Sequence, residues 1–226
     1  MTDASIPRRR LLYGGALGLF AAGLLPAAAH ADDGWHNIDV TGSSAPLEIS
    51  MTRAGDGKQV SAADYKGRVV LLYFGYTYCP DVCPLTLTNL THVLDGLGPL
   101  AQNVRILFVT VDPNRDTLPV LKEYAASFAP QIQALRGSQD ALAALARRYR
   151  IAYSVTPSKN PRDYSVTHSS AIYVFDPTGA ARLLIPSMAS QSPDIDGTVA
   201  DLRRLINGEG SPGLLSRILT RLRQLG

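Results

Sequence analysis

Apolar residues in this 226-residue chain fall into two kinds of run. Val69-Val70-Leu71-Leu72-Tyr73-Phe74 is unbroken, and Val104 to Val111 is nearly so. Runs of that length predict strands buried on both faces. Between them Leu87, Leu90, Val93, Leu94 and Leu97 recur at helical spacing, with Gly98 as a stop. Leu118, Leu121, Ala125 and Phe128 predict a second helix capped by Asp116 or Thr117, and Ala141 to Tyr149 a third that starts after Ser138. Ala171 to Asp176 and Arg182 to Ile185 flank Pro177-Thr178-Gly179, a hairpin signal. Ile195 to Ile206 predicts a closing helix. Upstream, Leu47 to Met51 and Lys58 to Ser61 flank Gly55-Asp56-Gly57 and predict an N-terminal β-hairpin.

The order β-α-β-α-α-β-β-α after that hairpin implies an α/β fold, a mixed β-sheet with helices on both faces. Residues 47–207 form the expected domain, and the polar, Gly- and Ser-containing residues 32–46 read as a lead-in linker. Residues 208–226 form an amphipathic C-terminal tail, with Leu214, Leu215, Ile218, Leu219, Leu222 and Leu225 on one face. It reads as a helix docked on the domain or frayed in solvent, with contact to a membrane surface or a partner as the alternative.

Composition adds little to that picture. Hydrophobic residues make up 46% and charged residues 18%, enough for a real core. Net charge is +3, and three of the cations are Arg8, Arg9 and Arg10, so the remainder is close to neutral. No basic stripe interleaved with aromatics is present, which argues against a nucleic-acid partner. The three arginines, the apolar run Leu11 to Leu25 and Ala29-His30-Ala31 make residues 1–31 a signal peptide or a membrane anchor across residues 11–29. Arg8-Arg9-Arg10-Leu11-Leu12 also resembles a twin-arginine export signal. The expected location is the periplasm, reached across a bacterial inner membrane, where thiols are at risk of oxidation.

That location gives weight to Cys79 and Cys83, the two cysteines of the chain, in Tyr78-Cys79-Pro80-Asp81-Val82-Cys83-Pro84. They stand where the first buried strand ends and its helix begins, the placement used by thioredoxin-like proteins. Pro84 suits the first position of a helix, so the helix is expected to start after Cys83. Both sulfurs would then lie near its positive end, which favours thiolate. Three readings follow. A structural disulfide closing so short a loop adds little stability. A redox dithiol usually has two intervening residues. Two thiolates and one further donor suit a soft metal such as Cu(I). Among the histidines, His30 lies in the signal-like segment, His36 in the flexible lead-in, and His92 on the polar side of the first helix. His168, in a loop before the strand at Ala171, is the one that a thioredoxin-like layout would bring to the thiols.

Phe74-Gly75-Tyr76-Thr77-Tyr78-Cys79-Pro80-Asp81-Val82-Cys83-Pro84, Val109-Thr110-Val111-Asp112-Pro113-Asn114-Arg115-Asp116-Thr117 and Tyr164-Ser165-Val166-Thr167-His168-Ser169 together resemble the Sco/SenC family of copper chaperones, from about Gly42 to about Asn207. The resemblance implies a thioredoxin-like fold and a site in which Cys79, Cys83 and His168 bind one copper ion, as Cu(I) or Cu(II). It implies delivery of copper to the dinuclear centre of cytochrome c oxidase subunit II or another copper-site protein, fed by a periplasmic copper donor, or reduction of that centre's cysteines. A thiol–disulfide oxidoreductase or redox sensor using Cys79 and Cys83 is the alternative. Asp112 and Arg115 read as a loop brace, and Asp81 as a solvated residue that tunes the site or meets a partner. Tyr76 and Tyr78 read as shields for the sulfurs or part of a docking face. The family often has histidine where Tyr78 stands, and the tail after Gly208 lies beyond its usual end.

Overall fold

The computed structural model describes residues 34–159 and 164–209. The signal-like segment 1–31 and residues 210–226 of the tail lie outside the described residues, and the described residues cluster as one unit.

Two strands form the centre of that unit. β4 (Val69–Gly75) is buried at every position and pairs in parallel with β5 (Val104–Thr110), Leu72 opposite Leu107. The segment between them is α1 (Val82–Leu97), which ends on Gly98 with φ 57°, a conformation open to glycine at little cost. β6 (Ile132–Arg136) follows α2 (Leu118–Ala126) and continues the parallel set beside β5. On the other side of β4 lie β9 (Ile172–Phe175) and β10 (Ala181–Ile185), the expected hairpin, both antiparallel to their neighbours. The N-terminal hairpin, β2 (Ser50–Arg53) and β3 (Gln59–Ser61), joins the same sheet through β6. With β1 (Ile38–Asp39) at the far edge, the eight-stranded order is β1-β10-β9-β4-β5-β6-β2-β3.

Side-chain alternation then separates two layers. Tyr73 and Phe108 are register partners on one face, and Phe108 meets Tyr124 of α2 with ring centroids 5.4 Å apart. Tyr173 pairs with Leu72, so it faces the other way, and with Phe175 it packs on Tyr149. Tyr149 closes α3 (Gln139–Arg148), whose Ser138 cap accepts from the Ala141 amide. α4 (Ile195–Ile206) packs along α1. The expected helices on both faces of a mixed sheet are therefore present.

Several expectations need correction. β6 was not foreseen, because Ile132-Gln133-Ala134-Leu135-Arg136 is short and neither continuous nor cleanly alternating. The lead-in is not a loose linker over its described residues. The amides of His36 and Asn37 donate to the buried Asp201 carboxylate of α4, at 3.1 and 2.8 Å. The Arg204 guanidinium lies 3.8 Å from the Trp35 ring, and β1 pairs with β10. His36, expected to be flexible, is thereby held at its backbone, with Nδ1 3.5 Å from Asp194. An isolated acidic residue on a helix gives no sign in the sequence that it serves as an acceptor for a distant segment.

The third difference bears on function. His168 stands on a strand rather than in a loop. β7 (Tyr153–Thr156) and β8 (Ser165–His168) form a two-stranded antiparallel ribbon of their own, with His168 opposite Tyr153. β7 is exposed at all but Tyr153 and β8 buries only Val166, so both lack the run by which a buried strand is read.

Candidate metal centre

Three elements converge where β4 gives way to α1. β4 ends at Gly75, and a Cβ there would lie 2.5 Å from the Phe108 ring and 3.0 Å from Cys83 Sγ. Only glycine lets the strand pass this close to the sulfur. The loop after it carries Cys79, which is half-buried. α1 begins at Val82, earlier than expected, so Cys83 lies inside its first turn. Pro84 is still tolerated, because the first-turn amides have no intrahelical partner to lose. Cys83 is fully buried, and its amide donates to Cys79 Sγ at 3.4 Å.

The ribbon supplies the third group. His168 Nε2 lies 3.2 Å from Cys83 Sγ. On the other side of the ring, Nδ1 is 2.9 Å from the Ser169 carbonyl. A carbonyl only accepts, so Nδ1 carries the proton and the Nε2 lone pair faces the sulfurs. The donor atoms of Cys79, Cys83 and His168 all lie within 4.8 Å of one another. Tyr76 donates from its hydroxyl to the Val166 carbonyl of β8 at 3.0 Å, and its ring meets His168 edge-on. A surface depression of about 280 Å³ opens onto Cys79 and His168, between Pro80, Val82 and Val166.

The electrostatics reverse one expectation. Burial pushes the Cys83 thiol up to about 12, and nearby Cys79 adds to the rise. Removal from water outweighs the favourable helix end, because the charged form loses its hydration. Burial also lowers the His168 pKa, which keeps the imidazole neutral. With Nδ1 already protonated, the Cys83 S–H donates to Nε2. The arrangement is thus a protonated thiol on a neutral imidazole, and a soft metal taking that proton's place would meet sulfur and nitrogen donors suited to it.

Around this trio the other motif residues sort themselves. His92 and Asp81 are exposed, the latter at the N-terminus of α1 without a capping bond from its side chain. Tyr78 is 62% exposed. Asp112 and Arg115 form the expected brace: Arg115 Nε donates to Asp112 at 2.5 Å, and the Tyr164 hydroxyl donates to the same carboxylate. Asp116 is a residue whose role the sequence reading missed. Thr117 takes the cap position of α2, and Asp116 turns inward, fully buried. It accepts from the Thr77 amide at 3.1 Å, the Thr77 hydroxyl at 2.6 Å and the Thr110 hydroxyl at 2.5 Å. Burial raises its pKa, partly offset by those donors. The bonds tie the Tyr76–Cys79 loop to the end of β5. Asp116→Ala leaves three donors without an acceptor and should lower stability by about 1–3 kcal/mol. Asp116→Asn, which keeps an acceptor, should lose less. Urea unfolding of the two variants checks this, and equal losses would count against the hydrogen-bond account.

A mixed sheet flanked by helices, with a cysteine pair at its first strand–helix junction and a histidine facing it, defines a thioredoxin-like protein whose donor set can hold a soft metal. The SCO1/SenC family model matches residues 52–207, and the chain belongs to that family. It is 43% identical over 125 residues to the mitochondrial SCO2 homologue of Bos taurus, covering 54% of this chain and 47% of that one. The mitochondrial SCO1 homologue of Homo sapiens is 35% identical over 125 residues, 54% of this chain and 42% of the relative. The chain therefore spans about half the length of the curated relatives it matches. Among solved structures, Bradyrhizobium japonicum ScoI with copper bound is similar, with a TM-score of 0.62 and 33% identity, covering 72% of this chain and 98% of that one. Yeast Sco1 with copper bound gives 0.63 and 30%, over 71% and 89%.

Proposed function

We propose that this chain is a copper-binding chaperone of cytochrome c oxidase assembly, with Cys79, Cys83 and His168 as the copper ligands and copper as its cargo. The observation that carries the reading is the meeting of two sulfurs with a histidine Nε2 whose proton is held on the opposite nitrogen. Two thiolates and a neutral imidazole favour Cu(I), and an added oxygen ligand accommodates Cu(II). Similarity to the copper-bound structures of ScoI and yeast Sco1 supports the same reading. The acceptor it implies is the copper site of oxidase subunit II or a related domain, reached by ligand exchange. Oxidation of the pair to a disulfide would remove both sulfur ligands and stop loading. The signal-like residues 1–31 support an exported, periplasmic location. Among the described residues no helix is long and apolar enough to cross a membrane.

Anaerobic Cu(I) titration of the reduced protein tests this. One equivalent should bind, Cys79→Ser and Cys83→Ser should lose it, and the loaded protein should pass copper to an apo copper-site domain. Wild-type binding in His168→Ala would remove that residue from the site. A second reading, thiol–disulfide exchange with the target's cysteines, is favoured by the half-buried Cys79, whose sulfur lies on the open side of the pair with the Cys83 amide directed at it at 3.4 Å. Copper-free reduced protein that fails to reduce an oxidised copper-site peptide would eliminate it.

A further inference from the structure

The histidine of the site stands on an insecure support. The β7–β8 ribbon is separate from the eight-stranded sheet. A two-stranded ribbon alone is marginal in water, and this one is largely exposed. Something outside the ribbon must therefore set where His168 stands relative to the cysteines. The Tyr76 hydroxyl is one tie, at Val166. At the His168 end, the Ser169 amide donates to the Ala152 carbonyl at 2.9 Å and the His168 ring lies edge-on to Tyr73. The opposite end of the strand is held by a single guanidinium. Arg115 lies 3.8 Å from the Tyr164 ring and 4.9 Å from the Tyr78 ring. Its Nη1 donates to the Tyr164 carbonyl at 3.0 Å, and its Nε is anchored on Asp112 at the end of β5. Tyr78 immediately precedes Cys79, and Tyr164 immediately precedes β8, the strand that ends on His168.

We infer that Arg115 is the positioning residue for the histidine ligand: it clamps the start of β8 against the cysteine loop and so holds His168 within reach of the two sulfurs. The inference rests on the copper site proposed above. A strand rises ~3.3 Å per residue, so a small swing at Tyr164 is carried over ~13 Å to His168. Planarity matters as much as charge here. A guanidinium can stack on two rings while donating to a carbonyl and a carboxylate, whereas an ammonium cannot do all of these. Arg115 touches neither copper nor a donor atom, so its effect should appear only through the histidine.

The test is a double-mutant cycle on Cu(I) affinity, measured by competition with a chelator. Arg115→Met should lower affinity about 10- to 100-fold, as loss of a group that orients a metal ligand does. On a His168→Ala background the same change should cost almost nothing further. The Cu(II)-loaded Arg115→Met protein should keep its thiolate-to-copper charge-transfer band and lose the imidazole nitrogen modulation in pulsed EPR. Arg115→Lys should not rescue. Tyr164→Leu, at the half-buried residue just before β8, removes the stacked ring and its hydroxyl bond to Asp112 while keeping the carbonyl, and should show the same non-additivity at smaller size even where the arginine variants fold poorly. A loss that adds in full to that of His168→Ala, intact nitrogen coupling, or full rescue by lysine would overturn the clamp alone. A His168→Ala protein that binds copper like its parent would overturn the three-ligand site and the clamp with it.

Discussion

Alanine at position 75 is expected to damage both the fold and the site. The added methyl would meet the Phe108 ring at 2.5 Å and Cys83 Sγ at 3.0 Å, both on fully buried side chains. Phe108 is held by Tyr73 on one side and Tyr124 on the other, so it has little room to withdraw. Overpacking of this kind costs about 1–3 kcal/mol. The chemical consequence is sharper than the loss of stability. Relief through the sulfur moves Cys83 away from its position 3.2 Å from His168 Nε2, and a displaced ligand weakens the metal even where the protein stays folded. Thermal melting and copper titration of Gly75→Ala check the two effects separately. Melting and copper binding both at the parent's level would mean that Phe108 and Cys83 yield more easily than their burial implies.

Copper affinity is expected to climb about tenfold for each pH unit across neutral pH, for every thiol proton that the metal displaces. The sign follows from Cys83. Its thiol, pushed up to about 12 by burial, is protonated throughout this range in the copper-free protein, while the bound form needs the thiolate. Raising the pH makes that proton easier to remove and so strengthens binding; lowering it releases metal. His168 contributes no opposing term above its ordinary value of 6.5, because burial shifts it downward and leaves it neutral. Cu(I) competition titrations at several pH values, with proton uptake by the chelator accounted for, give the slope. A flat profile would show that the end of α1 keeps Cys83 ionised against the effect of burial.

Packing, not spacing, decides that contrast. The continuous apolar run of β4 and the helical spacing of α1 stand out because a buried element imposes one period on its residues. Those two elements put Cys79 and Cys83 at a strand–helix junction on sequence pattern alone. His168 is legible through its motif, but the strand that bears it is not, since β7 and β8 face water on most positions and carry no core pattern. The depth of Cys83 is equally hidden. Spacing places a sulfur at a helix N-terminus, whose field favours thiolate, but only packing against Phe108 and Gly75 shows how much hydration the charge would lose. Asp116 has the same history. An acid before a helix reads as a cap, and only the opposing Thr77 and Thr110 reveal that it faces inward.

The unequal exposure of the two sulfurs has a kinetic consequence for a copper carrier. An incoming ligand approaches through the depression beside Pro80 and Val82, where Cys79 is half-open and Cys83 is sealed beneath it. If the two sulfurs hold copper as proposed, displacement would have a direction: the outer sulfur would yield first and the inner sulfur last. Copper leaving in that order would pass directly to the acceptor, with the buried cysteine as the latch that releases last.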